Sequence, residues 1–437
     1  MENKTTPAKT FGFGPKGTGI VVIGFFCYLI GQCLGNAGMS NTVVPAFVEI
    51  RGFDSTAMTS WLTIAAWIGI PFIIIWSRVA ERVGMKRIIM IGLGFITVGS
   101  IIMGCSGSTV IWCVAFMINV IGYNAIFLLG GPGLVAKWFP TKKGLALGWA
   151  SMGLVSADII WTPYVGKAMY NFGPLTVFLF VAAIAVIFLI IVAIFVKEKP
   201  EDAGAYPDNI PVPLEDAALM ERINTEYRSS WTFKKLLSTK ETWLVAIAGG
   251  LLWLGGSGPI VTFYARMLSF GYEELFVSSV FQTVAVFSLC GSLLYGVIDT
   301  KLGTKKSFIS CGVVILLGLI FMFFLAPHSK GATYIGALFL GASIGGVPNL
   351  LASMQTSIWG RWDFAASSKI ITPIAMIILN CEFMIATVSL NLLGNYNLFF
   401  GVLFASVVLG IIILFVIRPR MLGSTDEQVM SQFRQET

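Results

Sequence analysis

Apolar runs of about twenty residues recur along the whole chain, separated by short polar breaks. A bilayer core needs about 20 mostly apolar residues per helical crossing. Twelve runs meet that length, at 19–47, 57–77, 88–106, 109–136, 144–170, 174–196, 242–268, 275–298, 307–326, 331–359, 364–394 and 396–417. The longest hydrophilic segment, 197–240, carries Pro200, Pro207, Pro211 and Pro213 with mixed charge, and it divides the runs six and six. The pattern predicts an all-α membrane protein with twelve transmembrane helices in two six-helix halves. The halves are 1–196 and 241–418, joined by a linker at 197–240 and followed by a tail at 419–437.

Polar residues inside the runs are unevenly spread. The first run holds Gln32 and Asn36, four apart and so on one helix face, then Asn41, with Pro45 expected to bend or end the helix. The fourth holds Asn119 and Tyr123 on one face, then Asn124, and runs into Gly130, Gly131, Pro132 and Gly133, a candidate hinge. The seventh holds Trp253, Ser257, Tyr264 and Arg266 around a break at Gly255 to Pro259. Gln282 and Ser288 mark the eighth, Asn349 and Gln355 the tenth, and Lys369 and Glu382 the eleventh. Runs three, six, nine and twelve are plain. That period of three suits a bundle in which every third helix faces lipid and the others line a cavity. Interhelical hydrogen bonding for packing alone is the competing reading of the amides.

Composition agrees: 56% of residues are hydrophobic and 12% charged, against about 25% charged in soluble domains. The net charge of +7 is a matter of placement rather than a sign of nucleic-acid binding. With both termini inside, 25 of the 29 Lys and Arg fall on the cytoplasmic side; Arg51, Lys167, Arg266 and Lys330 fall outside. The positive-inside rule then predicts cytoplasmic termini and linker in a multi-pass inner-membrane protein. The seven cysteines lie in or at the ends of runs without a Cys-x-x-Cys pair, which predicts buried packing residues and no metal site or disulfide framework. Gly12, Gly14 and Gly17 spell a GxGxxG with no strand before it, read as a chance match in a flexible tail. The first apolar run is too long for a signal-peptide core, so no cleavage is expected. The only histidine, His328, lies in a predicted outer loop, and no Ser/His or Cys/His pairing, phosphate loop or metal-ligand spacing is present. The sequence therefore argues for a transporter rather than an enzyme, and implies no cofactor. It shows no oligomer signal and is read as a monomer.

A basic turn between the second and third runs, Ser77-Arg-Val-Ala-Glu-Arg-Val-Gly-Met-Lys-Arg87, is echoed after the eighth run by Gly296-Val-Ile-Asp-Thr-Lys-Leu-Gly-Thr-Lys-Lys306. The first copy resembles the loop 2–3 motif of the major facilitator superfamily, Gly-x-x-x-Asp-Arg-x-Gly-x-Arg/Lys, through Arg82, Gly84 and Arg87. Ser77 stands for its Gly and Glu81 for its Asp. In the second copy Gly296 and Gly303 match, Thr300 takes the acid's place and Asp299 sits one residue early. The resemblance implies the major facilitator fold, transport by alternating access, and an acid that locks one conformation by accepting hydrogen bonds from a neighbouring helix end. Glu81 is expected to do so through a helix end or an arginine. A second stretch, Trp138-Phe-Pro-Thr-Lys-Lys-Gly-Leu-Ala146, is similar to the oxalate/formate antiporter and monocarboxylate transporter branch of that superfamily.

Two acids stand apart from loops and helix ends: Asp158 in the fifth run and Glu382 in the eleventh, both near the expected midplane of runs that correspond between the halves. An ionised carboxylate at that depth costs roughly 2.5–3.5 kcal/mol, so such groups are usually functional. Each is a candidate for proton coupling or solute binding; a protonated or hydrogen-bonded structural acid is the alternative. The branch resemblance implies a small organic anion as solute, moved by symport or antiport and coupled to protons, with Arg266 and Lys369 as the available cations. The alternative solute is a cationic or zwitterionic amine held by Glu382 or Asp158, with Trp253, Trp161 or Tyr123 giving cation–π contacts.

Overall fold

The computed structural model describes residues 12–33, 43–209, 219, 222–223, 226–418 and 420–435, with side chains throughout except at 56, 59, 63, 158–163, 166 and 274. Helix α1 (Gly14–Cys33) is followed by the short α2 (Val44–Arg51) and then by α3 (Ser55–Val83) and α4 (Met85–Cys105). Next come α5 (Thr109–Tyr123), a π-helical turn at Asn124–Gly130, and α6 (Gly131–Trp138), which together make one crossing. Pro45 lies in the first turn of α2, where its missing N–H costs nothing; it opens a helix rather than ending one. Gly14 and Gly17 belong to α1, and a side chain at Gly17 would meet Phe139 at 2.8 Å, so this glycine run is packed helix and not a loose tail.

Helix α7 (Lys143–Phe195) runs for 53 residues. Unbroken, it would be about 80 Å long, far beyond one crossing. It breaks at Gly173, with φ 81° and ψ 155°, into the fifth and sixth crossings. The second half contains α8 (Phe233–Ser238), α9 (Lys240–Val261), α10 (Phe263–Ser269), α11 (Glu274–Leu302), α12 (Thr304–Ile320), α13 (Lys330–Trp359), α14 (Phe364–Leu379), α15 (Cys381–Leu393) and α16 (Asn397–Val416). Helix α17 (Asp426–Gln435) ends the chain. Among the described residues, eleven helical segments are long and apolar enough to cross a membrane, and the first part of α7 accounts for the remaining expected crossing. The eleventh run is interrupted at Asn380 (φ −67°, ψ −5°), between α14 and α15.

The two basic turns share one backbone geometry. Gly84 (φ 86°, ψ 169°) separates α3 from α4, and Gly303 (φ 85°, ψ 153°) separates α11 from α12. A positive φ strains any residue with a Cβ, which is why both copies keep glycine there. Buried apolar residues gather in two main clusters. One runs from Ile20 to Val196 with a few α13 and α14 residues, and the other from Trp231 to Ile417. A smaller cluster joins Ile223 of the linker to Val429 and Phe433 of α17.

Candidate functional site

A central cavity of about 320 Å³ lies between the two clusters. Its described lining comes from α1, α3, α5 with its π-turn, the first part of α7, α9, α11, α13 and the α14–α15 pair. None comes from α4, α12, α16 or the second part of α7, the four crossings that carry plain sequence. The walls are largely apolar and include five aromatic residues, Tyr123, Phe127, Trp253, Phe281 and Phe383, of which the Tyr123 and Phe127 rings stack at 4.8 Å. Gln32, Asn124, Ser257, Ser288 and Asn380 add uncharged polar groups. Glu382 is the one acid among the described lining residues, and no Lys, Arg or His is among them.

Glu382 sits in the first turn of α15, buried, directly after the helix break. The partial positive charge of a helix N-terminus favours an anion there. The Ser257 hydroxyl donates to Glu382 Oε2 at 2.8 Å and lies 3.0 Å from the Trp253 carbonyl oxygen. A hydroxyl has one hydrogen. With Glu382 ionised it serves the carboxylate. With Glu382 protonated, the acid donates to Ser257, whose hydrogen turns to the Trp253 carbonyl. The proton on Glu382 is thereby linked to α9, the helix that also carries Trp253 and Pro259.

The structure sorts the other candidates. Gln32, Tyr123 and Trp253 line the cavity. Asn119 does not: it is buried against Gly99 and accepts from Ser100 at 3.5 Å, tying α5 to α4. Asn349 donates to the Ser292 carbonyl at 3.1 Å and ties α13 to α11. Gln282 is exposed on α11, and Tyr264 is half exposed on α10 with its ring 5.7 Å from Phe281. Arg266 is buried on α10 with its guanidinium 3.7 Å from the Phe400 ring centre and 5.0 Å from that of Phe323, away from the cavity lining. Lys369 forms an ion pair with Glu81. The two cations open to an anionic solute are thus both engaged elsewhere. Asn36 and Asn41 lie outside the described residues, as do the side chains of Asp158 and Trp161. Asn380 was missed because nothing in the sequence marks a helix break at Leu379–Cys381; Phe281 and Phe383 are indistinguishable there from lipid-facing aromatics.

Residues 20–361 match the model of the Major Facilitator Superfamily. The chain belongs to this superfamily. It is 26% identical over 353 residues to the multidrug resistance protein MdtG of Proteus mirabilis, covering 78% of this chain and 80% of that one. It is 27% identical over 340 residues to the multi-drug resistance efflux pump PmrA of Streptococcus pneumoniae, covering 74% and 79%. Among solved structures, the proton:xylose symporter XylE bound to 6-bromo-6-deoxy-D-glucose superposes with a TM-score of 0.73 at 13% identity, covering 95% of this chain and 98% of that one. The E. coli fucose:proton symporter FucP gives a TM-score of 0.67 at 12% identity, covering 92% and 98%. A chain of this superfamily is a membrane transporter of small-molecule solutes, not an enzyme. MdtG and PmrA bear multidrug-efflux names, which leaves the carboxylate branch without support from them.

The superfamily's basic turns meet the opposite half at one end of the bundle. Glu81, at the end of α3, pairs with Lys369 of α14, so its partner is a lysine of the other half and not the expected helix end or arginine. Its Oε1 is buried with no hydrogen-bond partner among the described residues, and the Ser77 hydroxyl is likewise buried without one. In the second copy the helix-end contact falls to Thr300, whose hydroxyl accepts from the Leu145 N–H of α7 at 3.1 Å. Asp299 is buried beside Gly144 and accepts from Ser353 at 2.5 Å. Gly148 and Gly296 let α7 and α11 approach: a Cβ on Gly148 would lie 3.0 Å from the Gly296 Cα. The Ser151 and Ser292 hydroxyls are 2.5 Å apart just beyond. Arg82 and Arg87 are exposed. Glu198, outside the crossings, accepts from the Met85 and Lys86 N–H groups at 2.7 Å each and pairs with Lys137. Burial opposes its ionisation, but the Lys137 charge and these hydrogen bonds outweigh it and hold the carboxyl below its usual range.

Proposed function

We propose that this chain is a proton-coupled secondary transporter that exchanges protons for amphipathic cationic or zwitterionic amines, with Glu382 as the group that carries either one. The observation behind this reading is the cavity's chemistry. A single described carboxyl lies among Tyr123, Trp253 and three phenylalanines, with no cation among the described lining residues. Aromatic faces attract an ammonium group, most strongly when it is desolvated. A carboxylate solute would meet no opposite charge there and would lie against Glu382. The multidrug names of MdtG and PmrA support the same choice. In this reading the termini and the basic turns face the cytoplasm. The contacts around Glu81, Thr300 and Ser151 then close the cytoplasmic end, a state that accepts or releases solute on the opposite side. Reporter fusions at the two termini check that orientation.

The test uses purified protein in liposomes with an imposed pH gradient. Tetraphenylphosphonium and quaternary amines are offered against formate, oxalate and lactate. The expected result is gradient-driven movement of the cations, with no competition from the anions. Glu382→Gln keeps the volume but removes the charge, and should abolish both that movement and the thermal stabilisation that the cations give wild-type protein. Anion transport that survives Glu382→Gln with unchanged pH dependence would overturn the reading.

A further inference from the structure

A second cavity, of about 640 Å³, opens at the basic-turn end and takes no part in the central site. That volume is within the range of small-molecule sites, about 300–1,000 Å³. Its walls come from five separated parts of the chain: the first basic turn, the end of α6, the end of α7, the linker, and the loop between α13 and α14. Arg82, Lys86 and Arg87 contribute from the turn, Lys199 and Arg228 from the linker, and Arg361 from the loop. Two carboxyls also line it, and both are committed: Glu81 to Lys369, and Glu198 to Lys137 and two backbone N–H groups. The cations therefore outnumber the acids of the wall, although Arg361 is already paired with Glu201 and Asp426 outside it.

Part of the wall is apolar, with Ala80, Val83, Met90, Ala193 and Ala365. Lys199 is itself largely buried, 5.0 Å from the Trp362 ring centre. Its ammonium, pushed down to about 8 by burial and by the nearby Lys137 charge, would be favoured by an added negative group. Basic pockets between membrane helices bind phosphate headgroups through this combination of charge and apolar surface.

We propose that this cavity is a binding site for a phosphate-bearing anion, which bridges the two halves at the basic-turn end. Phosphate oxygens meet the guanidinium and ammonium groups, and an attached apolar portion meets the Met90 and Ala193 wall. The ligand holds the closed arrangement of that end, because Arg82 and Arg87 belong to one half and Trp362 and Ala365 of the same wall to the other. This site is independent of the solute reading above.

The test is native mass spectrometry of the full chain with phosphatidylglycerol, phosphatidylcholine or inorganic phosphate added, beside thermal unfolding in the same mixtures. Retention of phosphatidylglycerol over phosphatidylcholine, undisturbed by inorganic phosphate, identifies a lipid headgroup. Binding of inorganic phosphate that displaces the lipid identifies a free phosphate compound as an equally good occupant. In either case Arg87→Gln combined with Arg228→Gln should weaken binding about thirtyfold. Lys234→Gln combined with Lys301→Gln removes as many charges from exposed positions off the cavity and should leave binding within about twofold of wild type. No binding by wild-type protein, or equal loss in both double variants, would overturn the proposal.

Discussion

Replacing Lys369 with alanine should release the closed end of the bundle. Lys369 is 9% exposed and Glu81 25% exposed in their side chains, and the pair joins α14 to α3 across the two halves. Removing one partner of a buried pair costs about 3–5 kcal/mol, because the other charge stays behind unpaired. One Glu81 oxygen is already buried without a partner among the described residues. Glu81 is a quarter exposed, and water recovers part of that cost, leaving about 2 kcal/mol. The penalty falls only on the conformation in which the halves meet. At 1.4 kcal/mol per tenfold, the balance moves about thirtyfold toward opening of this end. Spin labels at Phe195 and Leu302, exposed and on opposite halves, report it as a longer distance population. Cys105 and Cys290, the exposed cysteines, are first changed to serine. Glu81→Gln should move the balance the same way, since it leaves the buried Lys369 charge without a counter-charge, but by less, because the amide oxygen still accepts a hydrogen bond from the ammonium. The exchange Glu81→Lys with Lys369→Glu should restore most of the closed population. An unchanged distance distribution in Lys369→Ala, or a double exchange as open as the single variant, would refute the claim that this pair holds the end shut.

Ser257→Ala removes a hydrogen bond to a charged acceptor, an interaction of about 1.5–3 kcal/mol, from the ionised form of Glu382. Binding of a cationic solute, read by calorimetry, should weaken roughly tenfold or more, while Ser257→Thr keeps the donor and most of the affinity; unaltered affinity in Ser257→Ala would separate the serine from the acid's work. Glu198 has its folded value held below the ordinary carboxylate range, so its stabilisation is present at neutral pH and is lost as pH falls through that lowered value. Glu198→Gln should therefore unfold at lower temperature than wild type at pH 7, with the gap closing in acid; parallel melting curves across that range would contradict the assignment.

The alternation of apolar and polar residues was enough to determine the class of molecule, the places where helices cross, and which four of them stay plain. These are local properties: a stretch such as Pro174 to Val196 has no charge and a single polar side chain, Thr176, so it has little to satisfy and is left out of the cavity wall. The Gly84 and Gly303 turns were legible for the same reason, since a positive φ is a demand on one residue. The fate of each polar side chain was not local. Asn119 and Tyr123 share a face by spacing, yet Asn119 is spent on the α4–α5 contact while Tyr123 reaches the cavity. Glu81 and Lys369 are far apart in sequence, and only the way α3 crosses α14 makes one the counter-charge of the other. The same crossing takes Lys369 away from the central cavity and leaves Glu382 as its described acid. A sequence shows which groups must find partners inside a membrane; which partner each one finds depends on helix crossings set by packing over the whole chain.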